Sequence, residues 1–115
     1  MKTSPEPISE IHAALVRRML SFRPGLQHLV SQLAGAEAED TSRDGLFLRI
    51  HVSAPGGSPP GTQTINGSAK DSDGAPVDVI LHIRGGRLEI LEAFRLDALP
   101  LLTVPAAESI GATPG

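Results

Sequence analysis

Apolar residues recur at helical spacing in the first third of the chain and alternate with polar ones through the middle. Ile11, Leu15, Met19 and Phe22 fall on one helical face. Ser9 is placed as N-cap, Glu10 suits the dipole, Ile8 can act as a staple, and Arg17 and Arg18 stand toward the C-terminal end. This spacing predicts a helix from about Glu10 to Ser21. Pro24 cannot continue it but opens another well, with Leu26, Leu29, Val30 and Leu33 as its apolar stripe and Gly35 at the expected C′ position. The second helix therefore runs from about Pro24 to Ala34. Both stripes are short, so each helix needs a sheet to cover.

From Ala36 the period changes to alternation. Ala36, Ala38 and Asp40 form a weak strand. After the turn Ser42-Arg43-Asp44-Gly45, Leu46, Leu48, Ile50 and Val52 alternate with Phe47, Arg49, His51 and Ser53, as in a strand with one buried face. Residues 54–61 are a loop of Ala, Pro, Gly and Ser with no large apolar side chain.

The segment from Thr62 to Arg95 reads as an antiparallel meander. A two-residue Asp73-Gly74 hairpin would set Ala69 against Asp78 and mix the two faces. A three-residue loop, Ser72-Asp73-Gly74, sets Ala69 opposite Val77, Gly67 opposite Val79 and Ile65 opposite Leu81, which keeps apolar with apolar. It also places Gly74 at the αL position of a G1 bulge. Gly85-Gly86 forms the next turn and pairs Arg84 with Arg87, Ile83 with Leu88, His82 with Glu89 and Leu81 with Ile90. Alternation then fails at Glu92, and a bulge near Leu91 would restore it by bringing Ala93 inward. Without one, Glu92 is a carboxylate at the core margin. Beyond Arg95 the expectation is a turn followed by a short edge segment or an apolar tail folded on the sheet, since Pro100 and Pro105 argue against a central strand there.

These elements define an α+β domain over residues 9–105, with two N-terminal helices packed on one face of a four- to five-stranded antiparallel meander sheet. Residues 1–8 and 106–115 are expected to be disordered.

Composition narrows the function classes. With three Phe, no Tyr and no Trp among 115 residues, the core must be aliphatic. A net charge of −3 disfavours nucleic acid, as does the lack of aromatic stacking residues. No cysteine is present, which removes thiolate catalysis and Cys-type zinc sites and fits a reducing compartment. No apolar run approaches the roughly 20 residues that span a bilayer. The expectation is a cytoplasmic protein with no cofactor, no metal, no nucleic acid and no membrane, whose partner is another protein or a second copy of itself.

No motif for catalysis, metal or nucleotide binding stands out. Of the four histidines, His51 and His82 lie on the polar face of the strands and, with Arg49, Glu89 and Glu92, outline a candidate polar patch suited to anion binding or acid–base work. The plainer alternative is a solvated face with a His82–Glu89 cross-strand pair. Arg84 and Arg87 flank the glycine turn and are candidate contacts for an acidic partner, although they could equally splay into water.

The stretch Asp73-Gly74-Ala75-Pro76-Val77-Asp78-Val79-Ile80-Leu81-His82-Ile83-Arg84-Gly85-Gly86-Arg87-Leu88-Glu89-Ile90-Leu91-Glu92 resembles a recurring segment of small uncharacterised bacterial proteins, approximately D-G-x-P-V-x-[VIL]-L-L-H-[VI]-x-x-G-R-L-x-x-L-E. The resemblance implies a shared hairpin and no activity, and it departs after Glu92, at Ala93-Phe94. Two functional classes remain. The first is a non-catalytic protein-binding or accessory module, of inhibitor, immunity or homodimeric type. The alternative is a small cone-like α+β enzyme or ligand carrier with a pocket between helices and sheet.

Overall fold

The computed structural model describes residues 5–53 and 61–113. Helix α1 spans Glu10–Leu20, and Ser9 caps it by accepting from the His12 amide at 3.2 Å. Its buried face is Ala13, Leu15, Val16, Met19 and Leu20, whereas Ile11 is 67% exposed. At about 100° per residue Ile11 stands on the far side of the helix from Val16, so the working stripe is rotated from the one the i, i+4 spacing of Ile11 implies. The second helix, Pro24–Leu33, is wound as a 3₁₀ helix. No side chain caps its start and Gly25 lies in its first turn, both of which weaken an α-helical nucleus.

The strands are β1 (Glu6–Pro7), β2 (Glu37–Asp40), β3 (Leu46–His51), β4 (Thr62–Lys70), β5 (Pro76–Arg84), β6 (Arg87–Arg95) and β7 (Gly111–Ala112). They form one antiparallel sheet of seven strands in the order β1-β2-β3-β6-β5-β4-β7. The architecture is α+β, but the expected count of four to five strands is too low. Glu6–Pro7 and Gly111–Ala112, both in stretches expected to be disordered, are edge strands that cover part of the sheet's hydrogen-bonding margins. The sheet is also not one meander. Strands β4, β5 and β6 are sequential neighbours, while β3 pairs with β6, with Leu46 opposite Ala93 and Leu48 opposite Leu91. That register keeps buried residues against buried residues.

The β4–β5 register is Ile65 to Leu81, Gly67 to Val79 and Ala69 to Val77, around a three-residue loop closed by Asp71 N donating to Ala75 O at 2.8 Å. Gly74 has φ 89°, and Gly85 and Gly86 have φ 59° and 75° in the β5–β6 turn. After that turn Ile83 pairs with Leu88, but His82 pairs with Ile90, so Glu89 is the extra residue of a bulge. The bulge therefore lies earlier than the expected position near Leu91. Leu91 and Ala93 face the core in place of Ile90, and Glu92 leaves the core margin for the opposite face.

One buried cluster joins α1, the 3₁₀ helix and the inward sides of the strands. Polar groups inside it are matched. Gln32 donates to Gly86 O at 2.8 Å and accepts from Leu88 N at 3.0 Å, tying the 3₁₀ helix to the β5–β6 turn. Arg95, on the inward side opposite Val77, bonds Asp71 at 3.1 Å, Asp73 at 2.9 Å and Asp97 at 2.7 and 3.0 Å. Asp71 in turn accepts the amides of Ser72, Leu102 and Thr103. This cluster pins the chain after β6 to the β4–β5 loop. Further on, the fully buried Ile110 packs over Gly67, and Arg18 Nε donates to Ile110 O at 3.0 Å.

Candidate functional site

The alternation of β3, β5 and β6 sends one set of side chains into the core and leaves the other on an open face. Strand pairing lays that face out in rows. One row runs Phe47, Glu92, Ile80 and Asn66, and the next runs Arg49, Ile90, His82 and Thr64. At one end Phe94 stands beside Asp78 and Ser68. Phe47, Ile80 and Ile90 are half-buried by their neighbours, and Phe94 is 38% exposed. The face is thus a small apolar surface set with charges, not a wholly solvated one.

At its centre His82 Nε2 and Glu92 Oε2 lie 2.5 Å apart, each about a quarter exposed (24% and 26%). The two occupy diagonal positions across β5 and β6, where cross-strand partners reach one another. Glu92, and not Glu89, is therefore the partner of His82. Phe47 and Ile80 flank Glu92, and Thr64 and Ile90 flank His82. The arrangement is a shielded histidine–carboxylate contact, with no serine or threonine bonded to the histidine among the described residues.

The candidate patch read from the sequence divides in two. Arg49 shares the open face with His82 and Glu92, opposite Ile90 on one side and Glu39 on the other. His51, two residues further along the same side of β3, is engaged by β2, with Nε2 2.7 Å from Glu39 Oε1. Glu89, displaced by the bulge, lies 3.9 Å from Arg84, and these two join His51 and Arg87 along an open groove of about 380 Å³ at the end of the sheet. Arg84 and Arg87 stand directly opposite each other, as the turn requires. The groove carries mixed charge, and Arg84 is 72% exposed.

A second cavity of about 200 Å³ lies where His12, Asp40 and Asp44 approach Leu101–Val104. Burial would raise the Asp40 carboxyl, but hydrogen bonds from the Ser42 hydroxyl and amide, helped by His12, hold it below its usual value. Ser42 satisfies this carboxylate locally, which makes it a turn-forming group.

The strongest charge cluster is the Arg95 site. Burial would raise Asp71, yet its bonds to Leu102, Ser72, Arg95 and Thr103 outweigh that and hold it far below the normal carboxylate range. The Arg95 guanidinium holds Asp97 at about 2, and its bonds to Asp97 and the other two carboxylates keep Arg95 charged. Three carboxylates converge here, but the guanidinium fills the space between them, so the cluster acts as a staple. Among the described residues no group of His, Asp and Glu is placed to hold a metal ion, and no helix is long and apolar enough to cross a membrane.

Reasoning from sequence missed the apolar members of the open face, because Phe47, Ile80, Ile90 and Phe94 come from three strands whose neighbours were not fixed. It also missed the Arg95 staple. The signal was present: once Ala93 is read as inward, parity places Arg95 inward too.

No family model, curated protein or solved structure matches this chain.

Proposed function

We propose that this protein is a non-catalytic protein-binding or accessory module, and that the open face of β3, β6, β5 and β4 is its working surface. The observation that carries the reading is the set Phe47, Ile80, Ile90 and Phe94, brought together around the His82–Glu92 contact on the sheet face opposite the buried core. Aromatic and aliphatic anchors ringed by polar groups are the composition of a protein-contact surface. The alternative, a carrier or enzyme with a pocket between helices and sheet, is less favoured because Leu15, Met19, Leu20, Leu81 and Leu91 fill that space at 0–1% exposure. In this reading the module works in a reducing, cytoplasmic setting and takes a protein, not nucleic acid or membrane, as its partner. The cysteine-free, mildly acidic composition supports both points.

The test is solution mass across a concentration series together with affinity capture from native lysate, using the wild-type chain and Ile80→Glu. The reading expects association, with itself or with a captured protein, that Ile80→Glu abolishes while the thermal unfolding midpoint is retained. A wild-type monomer that captures nothing, or capture unaffected by Ile80→Glu, would overturn it.

A further inference from the structure

We propose that the occupant of the open face is a second copy of this chain, related by a two-fold axis that lies parallel to the sheet, crosses its strands and passes over Leu81. This rests on the open face being an interface, and it adds the partner and the geometry.

Charge order along β5 singles out this axis. The outward residues of β5 run Asp78, Ile80, His82, Arg84, acidic at one end and basic at the other. Rotation about an axis over Leu81 reverses this row against itself. Asp78 then faces the partner's Arg84, and Ile80 faces the partner's His82. Arg84 is 72% exposed, and among the described residues its one ionic contact is a loose one to Glu89 at 3.9 Å. The same rotation acts on β3, because Phe47 lies in the row of Ile80 and Arg49 in the row of His82. Phe47 is set against the partner's Arg49, an arrangement that favours a cation–π contact. Glu92, next to Phe47 in its row, comes near that same arginine.

The competing two-fold, with its axis along the strands between β5 and β6, matches charges poorly. It would set Asp78 against the partner's Phe94 and Arg49 against the partner's Thr64. Of the two, only the crossing axis makes the face complementary to itself, as an isologous interface requires.

Area sets the expected strength. Strands β4, β5 and β6 have nine residues each and β3 has six. At about 4.8 Å between strands and about 3.3 Å per residue they present roughly 500 Å² of flat surface per copy. With side-chain relief added this approaches the lower end of specific interfaces, so the dimer should form and dissociate with concentration.

Two single charge reversals test the geometry. In Asp78→Arg, and separately in Arg84→Asp, each paired contact becomes like against like, and self-association should weaken at least about tenfold. In an equimolar mixture of the two variants, the arginine introduced in one chain meets the aspartate introduced in the other. The native Arg84 of the first chain likewise meets the native Asp78 of the second, so dimerisation should return to the wild-type level. Sedimentation velocity reads all four samples against the chain mass of 12.0 kDa, with circular dichroism confirming that each variant is folded. A wild-type chain that stays at monomer mass at every concentration overturns the proposal, as does a mixture that fails to recover. If that monomer still captures another protein through Ile80, the second copy is excluded while the interface reading stands. If it captures nothing, both fall.

Discussion

His82 and Glu92 meet at 2.5 Å on the open face because β6 carries one residue more than β5 between them, and that residue is Glu89. In an unbroken register from the Arg84–Arg87 pair, Glu92 would sit opposite Val79 and point into the aliphatic core. The bulge changes the parity of the strand, so one irregular residue both closes the core with Leu91 and Ala93 and delivers a carboxylate to the histidine.

Deletion of Glu89 should therefore be tolerated, because the remaining residues close into a regular ladder that keeps Leu88 opposite Ile83, Ile90 opposite His82 and Leu91 opposite Leu81. Insertion of one alanine between Ile90 and Leu91 instead slips the rest of β6 by one, which drives Glu92 inward and Leu91 outward. Urea unfolding should show a loss of about 3 kcal/mol or more for the insertion and under about 1 kcal/mol for the deletion. Equal effects from the two changes would contradict the assigned position of the bulge.

The His82–Glu92 pair itself should contribute modestly. A double-mutant cycle with His82→Ala and Glu92→Ala should return a coupling of about 0.2–1 kcal/mol, as for cross-strand charge pairs. Much stronger coupling would show the pair to be more than part of a surface.

Acid should unfold the protein through the Arg95 cluster. Asp71 and Asp97 are both more acidic folded than unfolded, where carboxyls of this type titrate near about 3.9. Their contribution is complete above that value and is lost as pH falls toward about 2, the folded value of Asp97, with Asp71 persisting lower still. Urea midpoints at pH 7, 4, 3 and 2 should be level between the first two and fall after that. In Asp71→Asn the fall should be shallower and start from a lower neutral-pH stability, because Arg95 has lost its most buried anion. An unchanged acid profile in that variant would count against the staple.

The tail is fitted to a glycine. A Cβ on Gly67 would come within 2.7 Å of Ile110 Cγ2 and 3.1 Å of Met19 Sδ. Gly67→Ala should lift Ile110 from its seat, cost about 1–3 kcal/mol and expose residues 107–113 to protease. Protease resistance equal to wild type would show that the tail tolerates the added methyl group.

What could be read in advance followed from local rules. Ser9, Glu10 and Pro24 mark the helix starts through cap and dipole chemistry. The Gly74 and Gly85-Gly86 turns fix two hairpins, the first with its register held along its whole length and the second as far as the Ile83–Leu88 pair. What was not legible depends on distant partners. That β3 lies against β6 and not β4 is settled by which apolar rows fit, so the open face could not be assembled from its strands. The strands β1 and β7 exist only because neighbouring strands offer free edges, and no local pattern marks two-residue elements. The Arg95 staple was not legible because its three aspartates lie in loops brought to it by the fold. Of the polar patch read from the sequence, the bulge brings His82 against Glu92 in place of the expected Glu89, while His51 contacts Glu39 and Glu89 lines the end groove.

The most direct test of the open face as the working surface is residue-resolved radical footprinting of the wild-type chain, dilute and then concentrated or in native lysate. Phe47, Ile80, Ile90 and Phe94 should lose labelling several-fold on association, while Ile11, 67% exposed on α1 and remote from the sheet's open side, keeps its level. Unchanged labelling of those four residues under every condition would contradict the account.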